Sequence, residues 1–160
     1  MSKEQKTNAM RILDQHKVSY EAIYYECDDF IDAVHTLELT GTPAECSFKT
    51  LVAQGKSEKY SVFVIPVAEE LDLKKAAKAV DEKFVELIPV NDINKITGYV
   101  RGGCSPLGMK RVCRTVMDRS AEKFDQVYIS GGKLGCTIRV NPIDVIRIIN
   151  GTYEEITLHS

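Results

Sequence analysis

The chain has 160 residues, 44% of them hydrophobic and 28% charged, with a formal net charge of −2. That length holds one ordinary core, so a single domain over residues 1–160 is expected, and the composition excludes a disordered or fibrous chain. No apolar run approaches the roughly 20 residues that cross a bilayer, and the opening MSKEQKTNAM lacks the basic-then-apolar layout of a secretion signal; a cytoplasmic protein with no membrane partner is therefore expected.

Thr7 and Asn8 precede Ala9, Ile12 and Leu13, the pattern of a capped amphipathic helix reaching residue 15 or 16. Residues 18–25 carry the β-branched and aromatic side chains of a strand. Residues 32–39 read as a helix stopped by Gly41 and Pro43, and residues 46–53 as a strand ending at Gly55. Residues 60–67 are almost wholly apolar, as in a central strand covered on both faces, with Pro66 near its end because proline cannot donate to a ladder. Over 71–80, Leu71, Ala76, Ala77 and Val80 recur at helical spacing, and Lys74, Lys75 and Lys78 read as a solvated face. A short strand near 84–87, a helix over 89–96 and a glycine-rich loop over 97–108 follow. Further strands are expected at 110–117, 126–129 and 137–140. A last helix over 142–149 is capped by Asn141, opened by Pro142 and ended by Asn150 and Gly151. This irregular alternation fits an α+β fold, a mixed, curved or barrel-like sheet with peripheral helices, better than a doubly wound parallel sheet.

Charge is uneven along the chain. Residues 1–100 hold 12 Lys/Arg against 17 Asp/Glu, whereas residues 101–147 hold 9 against 4. A basic half on a mildly acidic protein can attract phosphates, although solvated surface scatter explains the same counts. Cys27, Cys46, Cys104, Cys113 and Cys136 show no CxxC spacing, and His16, His35 and His159 lie far apart. No metal or other cofactor is expected from such a pattern.

The densest punctuation is Gly98-Tyr-Val-Arg-Gly102-Gly103-Cys-Ser-Pro106-Leu-Gly108. Adjacent glycines allow positive φ and close approach of a ligand to the backbone, so the loop can aim N–H groups at an oxyanion or a phosphate; a plain turn accounts for the same letters. A second cluster, Ser130-Gly131-Gly132-Lys133-Leu-Gly135, is neither a P-loop nor a dinucleotide fingerprint. Lys49 is the one basic residue in an apolar strand pattern, where it either snorkels at an edge or points its cation into a pocket. Cys104, flanked by the loop glycines, is a candidate nucleophile only if a base or helix terminus lowers its pKa, and no base lies near it in sequence.

Together, Phe48-Lys49-Thr50-Leu51-Val52, the 60–67 run, the 71–80 helix, the 97–108 loop and Tyr128-Ile-Ser-Gly-Gly-Lys-Leu-Gly135 resemble the YbaK/ProX family of tRNA-editing domains. That family is related to the insertion domain of bacterial prolyl-tRNA synthetase. The resemblance implies a barrel-like mixed sheet and a metal-free pocket that removes a wrong amino acid from tRNA. The family's key lysine matches Lys49, and its GxxxP loop matches Gly102 to Pro106. By similarity Lys49, Gly102 and Gly103 would be catalytic, and Tyr20, Thr50, Pro106, Ser130 and Gly131 would bind substrate. Cys104 falls at a variable position of GxxxP and receives no role.

The wording of the motifs implies the branch acting on Cys-tRNA(Pro), with an alanine-directed branch as the alternative, and it implies prolyl-tRNA synthetase as a partner. An aminoacyl ester is already activated, so an enzyme for it needs positioning and oxyanion stabilisation more than a strong protein nucleophile. In the YbaK type the cysteine thiol of the substrate itself attacks its carbonyl. Two other classes stay open on the sequence: a non-catalytic tRNA- or synthetase-binding module using the basic region, and a hydrolase or transferase using Cys104.

Overall fold

The computed structural model describes residues 6–27 and 33–158. Its first half contains α1 (Asn8–Gln15), β1 (Tyr20–Tyr24), α2 (Ala33–Thr40), β2 (Phe48–Gly55), β3 (Tyr60–Pro66) and α3 (Leu73–Ala79). The second half adds β4 (Val85–Leu87), α4 (Ile93–Thr97), β5 (Arg114–Asp118), β6 (Val127–Lys133), β7 (Cys136–Val140), α5 (Pro142–Ile149) and β8 (Thr152–Glu154). The strands form two sheets: a three-stranded antiparallel one in the order β1-β7-β6, and a five-stranded mixed one in the order β4-β2-β3-β5-β8. In the latter, β3 runs antiparallel to β2 but parallel to β5, and β5 is parallel to β8.

The α+β architecture with a mixed sheet and outlying helices is present. Closure into a barrel is absent among the described residues: the sheets touch through the single bridge Ser47↔Tyr128 and then part. The reason is visible at β2, which pairs with β3 along its whole length but with β4 only from Ala53 to Gly55. Its first half therefore keeps one open edge facing β6.

β3 sits in the middle of the larger sheet, and Ser61 to Pro66 are all buried. Alternation sends Val62 and Val64 to one face, where they meet Leu13, Ile129, Ile138 and Val145, and Phe63 and Ile65 to the other, under Ala76, Ala77 and Val80 of the α3 segment. Burying each of these aliphatic or aromatic side chains contributes about 1.5–3 kcal/mol. Pro66 closes the strand, as its missing N–H requires.

Helix starts follow their caps. Thr7 Oγ1 accepts the Met10 N–H at 3.2 Å, Asp72 Oδ1 accepts the N–H groups of Lys74 and Lys75 at 2.9 and 3.1 Å, and Asn141 Oδ1 accepts that of Ile143 at 2.9 Å. The Thr7 hydroxyl also donates to the Gly131 carbonyl at 2.5 Å, which ties α1 to the β6–β7 hairpin.

Several boundaries differ from expectation. The strand expected over 110–117 is β5 alone, because residues 98–113 continue as irregular loop. The helix over 89–96 divides into a 3-10 turn, Val90–Asp92, and α4. β8 and a 3-10 segment, Arg119–Lys123, had no distinguishing letters. Asp32, where the second helix was expected to start, lies outside the described residues.

Candidate active site

Where the sheets part, a cavity of ≈ 460 Å³ opens between the free edge of β2 and β6, roofed by α2, the segment from β4 to α4 and the glycine loop. This volume suits a small organic group. The hydrogen bond from Val67 N–H to Ser47 O sets the pairing parity of β2 with β3, so the N–H and C=O of Thr50 point away from β3, to the open edge. Thr50 Oγ1 is buried without a hydrogen-bond partner among the described residues.

Lys49 lines the cavity half-buried, on the strand face of Leu51 and Ala53. Among the described residues its ammonium has no ion pair or hydrogen bond. Burial lowers its pKa from the ordinary lysine value, and the charges of Glu70 and Glu69 oppose that shift.

Gly102 enters the same lining beside Arg101 and Cys104. The Gly103 N–H donates to the Val100 carbonyl at 2.9 Å, and Gly102 has φ +84°. This is a turn with its third residue in the left-handed region, which explains a glycine there. The Gly103 N–H is thus taken up by the turn, whereas the Gly102 N–H has no partner among the described residues.

A Cβ on Gly103 would lie 2.9 Å from the Lys133 Cα and carbonyl carbon, backbone atoms that cannot swing aside. The glycine loop is thus seated on the β6–β7 hairpin. Inside it, Tyr99 Oη donates to the Leu107 carbonyl at 2.5 Å, and burial pushes that phenol up to about 12. Gly103→Ala is expected to lower stability by about 1–3 kcal/mol through overpacking and to reduce turnover with it. An unchanged urea midpoint would show that the loop is not held this way.

Of the residues singled out from sequence, the structure brings Lys49, Thr50, Gly102 and Ser130 onto one cavity. Tyr20, Gly103, Pro106 and Gly131 are not in its lining. Tyr20 packs against the α1 side of the core, Pro106 is buried inside the loop, and the Gly131 carbonyl is the acceptor for Thr7. Arg101, Thr42, Ser47, Tyr128 and Thr137 also line the cavity, although no local pattern singles them out as site residues. Arg101 alone had a signal, its place beside Gly102.

None of the described lining residues is Asp, Glu or His. Cys104 does line the cavity, but burial pushes its thiol up to about 11, against a smaller opposite effect of the Thr97 hydrogen bond. At pH 7 about 1 in 10⁴ such thiols is ionised, which disfavours a protein nucleophile. Cys104→Ser is expected to keep deacylation within about threefold of wild type. A loss of a hundredfold in a folded variant would return the cysteine to the mechanism.

A cavity with the Lys49 and Arg101 cations, a glycine turn and open strand-edge amides, lacking an acid–base pair among its described lining, suits an already activated acyl ester. Comparison with known proteins agrees. The protein curated as "Putative Cys-tRNA(Pro)/Cys-tRNA(Cys) deacylase EbsC" of Enterococcus faecalis is 41% identical over 155 residues, 96% of this chain and 94% of that protein. A crystal structure described as "a putative trans-editing enzyme for prolyl tRNA synthetase" superposes with a TM-score of 0.80 at 18% identity, over 96% of this chain and 99% of that one. Another, of hypothetical protein APE2540, gives 0.83 at 18% identity over 92% and 97%. At that identity the two structures speak for the fold alone. Residues 29–148, including β2, the glycine loop and β6, match the aminoacyl-tRNA editing domain, and the chain belongs to that family.

Proposed function

We propose that this protein deacylates tRNA mischarged with cysteine, Cys-tRNA(Pro) foremost, and that residues 1–160 act as one editing domain. The observation that carries the reading is the uncommitted Lys49 ammonium sharing a small cavity with the Gly102 turn. Family membership and the relative named as a Cys-tRNA(Pro)/Cys-tRNA(Cys) deacylase support it.

The cysteinyl ester enters with its carbonyl towards the Gly102 N–H, while Lys49 holds the terminal nucleotide and the developing negative charge. Thr50 and Ser130 border the acyl group. The substrate thiolate attacks the ester carbonyl carbon, forming the C–S bond of a four-membered thiolactone. The ester C–O bond breaks, and the ribose oxygen leaves with the proton that the thiol gave up. Water then opens the thiolactone to cysteine. The protein supplies geometry and charge stabilisation, and the reactive group belongs to the substrate.

Prolyl-tRNA synthetase is the proposed partner that supplies tRNA selectivity, in the cytoplasm where tRNA is charged. Among the described residues no helix is long and apolar enough to cross a membrane. Deacylation of a panel of Cys-, Ala-, Ser- and Pro-charged tRNA tests the assignment. Fastest release from Cys-tRNA is expected; a preference for Ala-tRNA would assign the chain to the alanine-directed branch.

A further inference from the structure

Of the nine Lys and Arg residues over 101–147, four are held in ion pairs, and exposed Arg111 and Lys123 lie over the rings of Tyr60 and Phe124 at 5.4 and 5.6 Å. Arg114, Arg119, Arg139 and Arg147 are paired with Asp81, Glu122, Glu21 and Asp144 at 3.2–3.4 Å. Exposed positive charge also gathers in the acidic half, around a second groove of ≈ 370 Å³ between α3 and β4. Lys74, Lys78 and Lys83 line it, all exposed and without an ion pair among the described residues. Its one carboxylate, Glu82, accepts hydrogen bonds from the Ser57 N–H and hydroxyl.

Two large apolar side chains face solvent in this basic groove, Phe84 at 49% and Leu73 at 44% exposure. An exposed aromatic among unpaired lysines offers phosphate contacts and a stacking platform together, a combination that fits a nucleic-acid strand better than an apolar protein helix. The groove and the cavity lie side by side on β4. Val85 lines the groove and Leu87, on the same face of β4, lines the cavity. Two residues along a strand span about 6.6–6.8 Å. Across the sheet Leu87 pairs with Ala53, in the same row as Leu51 and Lys49.

We infer that the groove of Lys74, Lys78, Lys83 and Phe84 is the docking surface for the RNA strand whose aminoacylated end occupies the cavity, with the lysines on phosphates and Phe84 beneath a base. The inference rests on the deacylase reading for the RNA's identity but is read out separately from it.

The test is the triple variant Lys74→Glu/Lys78→Glu/Lys83→Glu, assayed on cysteinyl-tRNA and on the cysteinyl ester of adenosine alone, with uncharged-tRNA binding measured in parallel across salt. KM for the charged tRNA is expected to rise about 10- to 100-fold with kcat held. The slope of log affinity against log salt should fall by about 2–3, near 0.7–0.9 for each phosphate that is no longer neutralised. Turnover of cysteinyl-adenosine should not change. The Gln triple variant should show a smaller effect in the same direction, and Phe84→Ala a rise of about 5- to 10-fold in KM. Wild-type-like tRNA affinity and salt slope in the triple variant would overturn the inference, as would a defect confined to association with another protein. Should neither ester be hydrolysed by wild type, the deacylase reading fails while tRNA binding still decides the groove.

Discussion

Lys49→Met is expected to lower kcat/KM for Cys-tRNA by at least about 10²-fold while leaving the protein as stable as wild type or more so. The two effects share one cause. The Lys49 ammonium lies half-buried in an apolar strand row without an ion pair among the described residues, and burial lowers its pKa. A charge kept there costs folding free energy but stays available to substrate phosphate or a developing oxyanion. Loss of one such stabilising group costs about 2.7–4 kcal/mol in the transition state. The stability gain is smaller, about 0.5–1 kcal/mol, because Lys49 keeps contact with water. With the folded pKa below the unfolded one, the wild-type penalty is full at pH below the lowered value. It vanishes as pH rises towards the unfolded value of about 10.4. The gain from Met should therefore be present at pH 7 and disappear in alkaline buffer, as read by urea unfolding at both pH values. A destabilised Lys49→Met, or one with full activity, would remove Lys49 from the site.

The sequence exposes that site unevenly, for reasons that particular residues make plain. α5 was legible to the residue because Asn141, Pro142 and Asn150 mark both ends with local chemistry. β3 was legible because burial on both faces leaves an unbroken apolar run. β8 was not: its three residues pair with β5, which lies far back along the chain, and nothing local requires it. Lys49 and the Gly102 turn stood out as an odd charge and a glycine pair, but their union in one cavity depends on β2 losing its partner before Ala53. Tyr20 stays outside because its strand pairs with β7 on the side away from β6, which borders the cavity. The lysines of α3 show the reverse case. Their helical spacing gives the outward face for Lys74 and Lys78, whereas Lys75 is part-buried and donates to the Thr157 carbonyl at 2.9 Å; only the position of β4 gives that face a groove and an aromatic.

Replacing the substrate cysteine by serine is expected to slow deacylation by about 10³-fold, within the 10²–10⁴ range typical of a lost proton-transfer or nucleophilic device. Ser-tRNA offers the same ester, nearly the same shape and the same ribose leaving group, so Lys49 and Gly102 would hold it much as they hold Cys-tRNA. The difference is the attacking atom. With a thiol pKa near 8.5, a few per cent of the substrate is thiolate at pH 7, whereas a serine hydroxyl supplies almost no alkoxide and the described cavity lining contains no carboxylate or imidazole to act as base. The rate for Cys-tRNA should accordingly climb about tenfold per pH unit below pH 8 and then level off, after subtraction of spontaneous ester hydrolysis. Binding should fall far less than turnover, because hydroxyl and thiol fill similar space, so the defect should appear in kcat rather than KM. Trapping of cysteine thiolactone by an added amine would identify the intermediate directly. Equal rates for the two substrates, or a Cys-tRNA rate flat with pH, would mean that water attacks the ester. The Gly102 turn and Lys49 would then have to activate that water without a base.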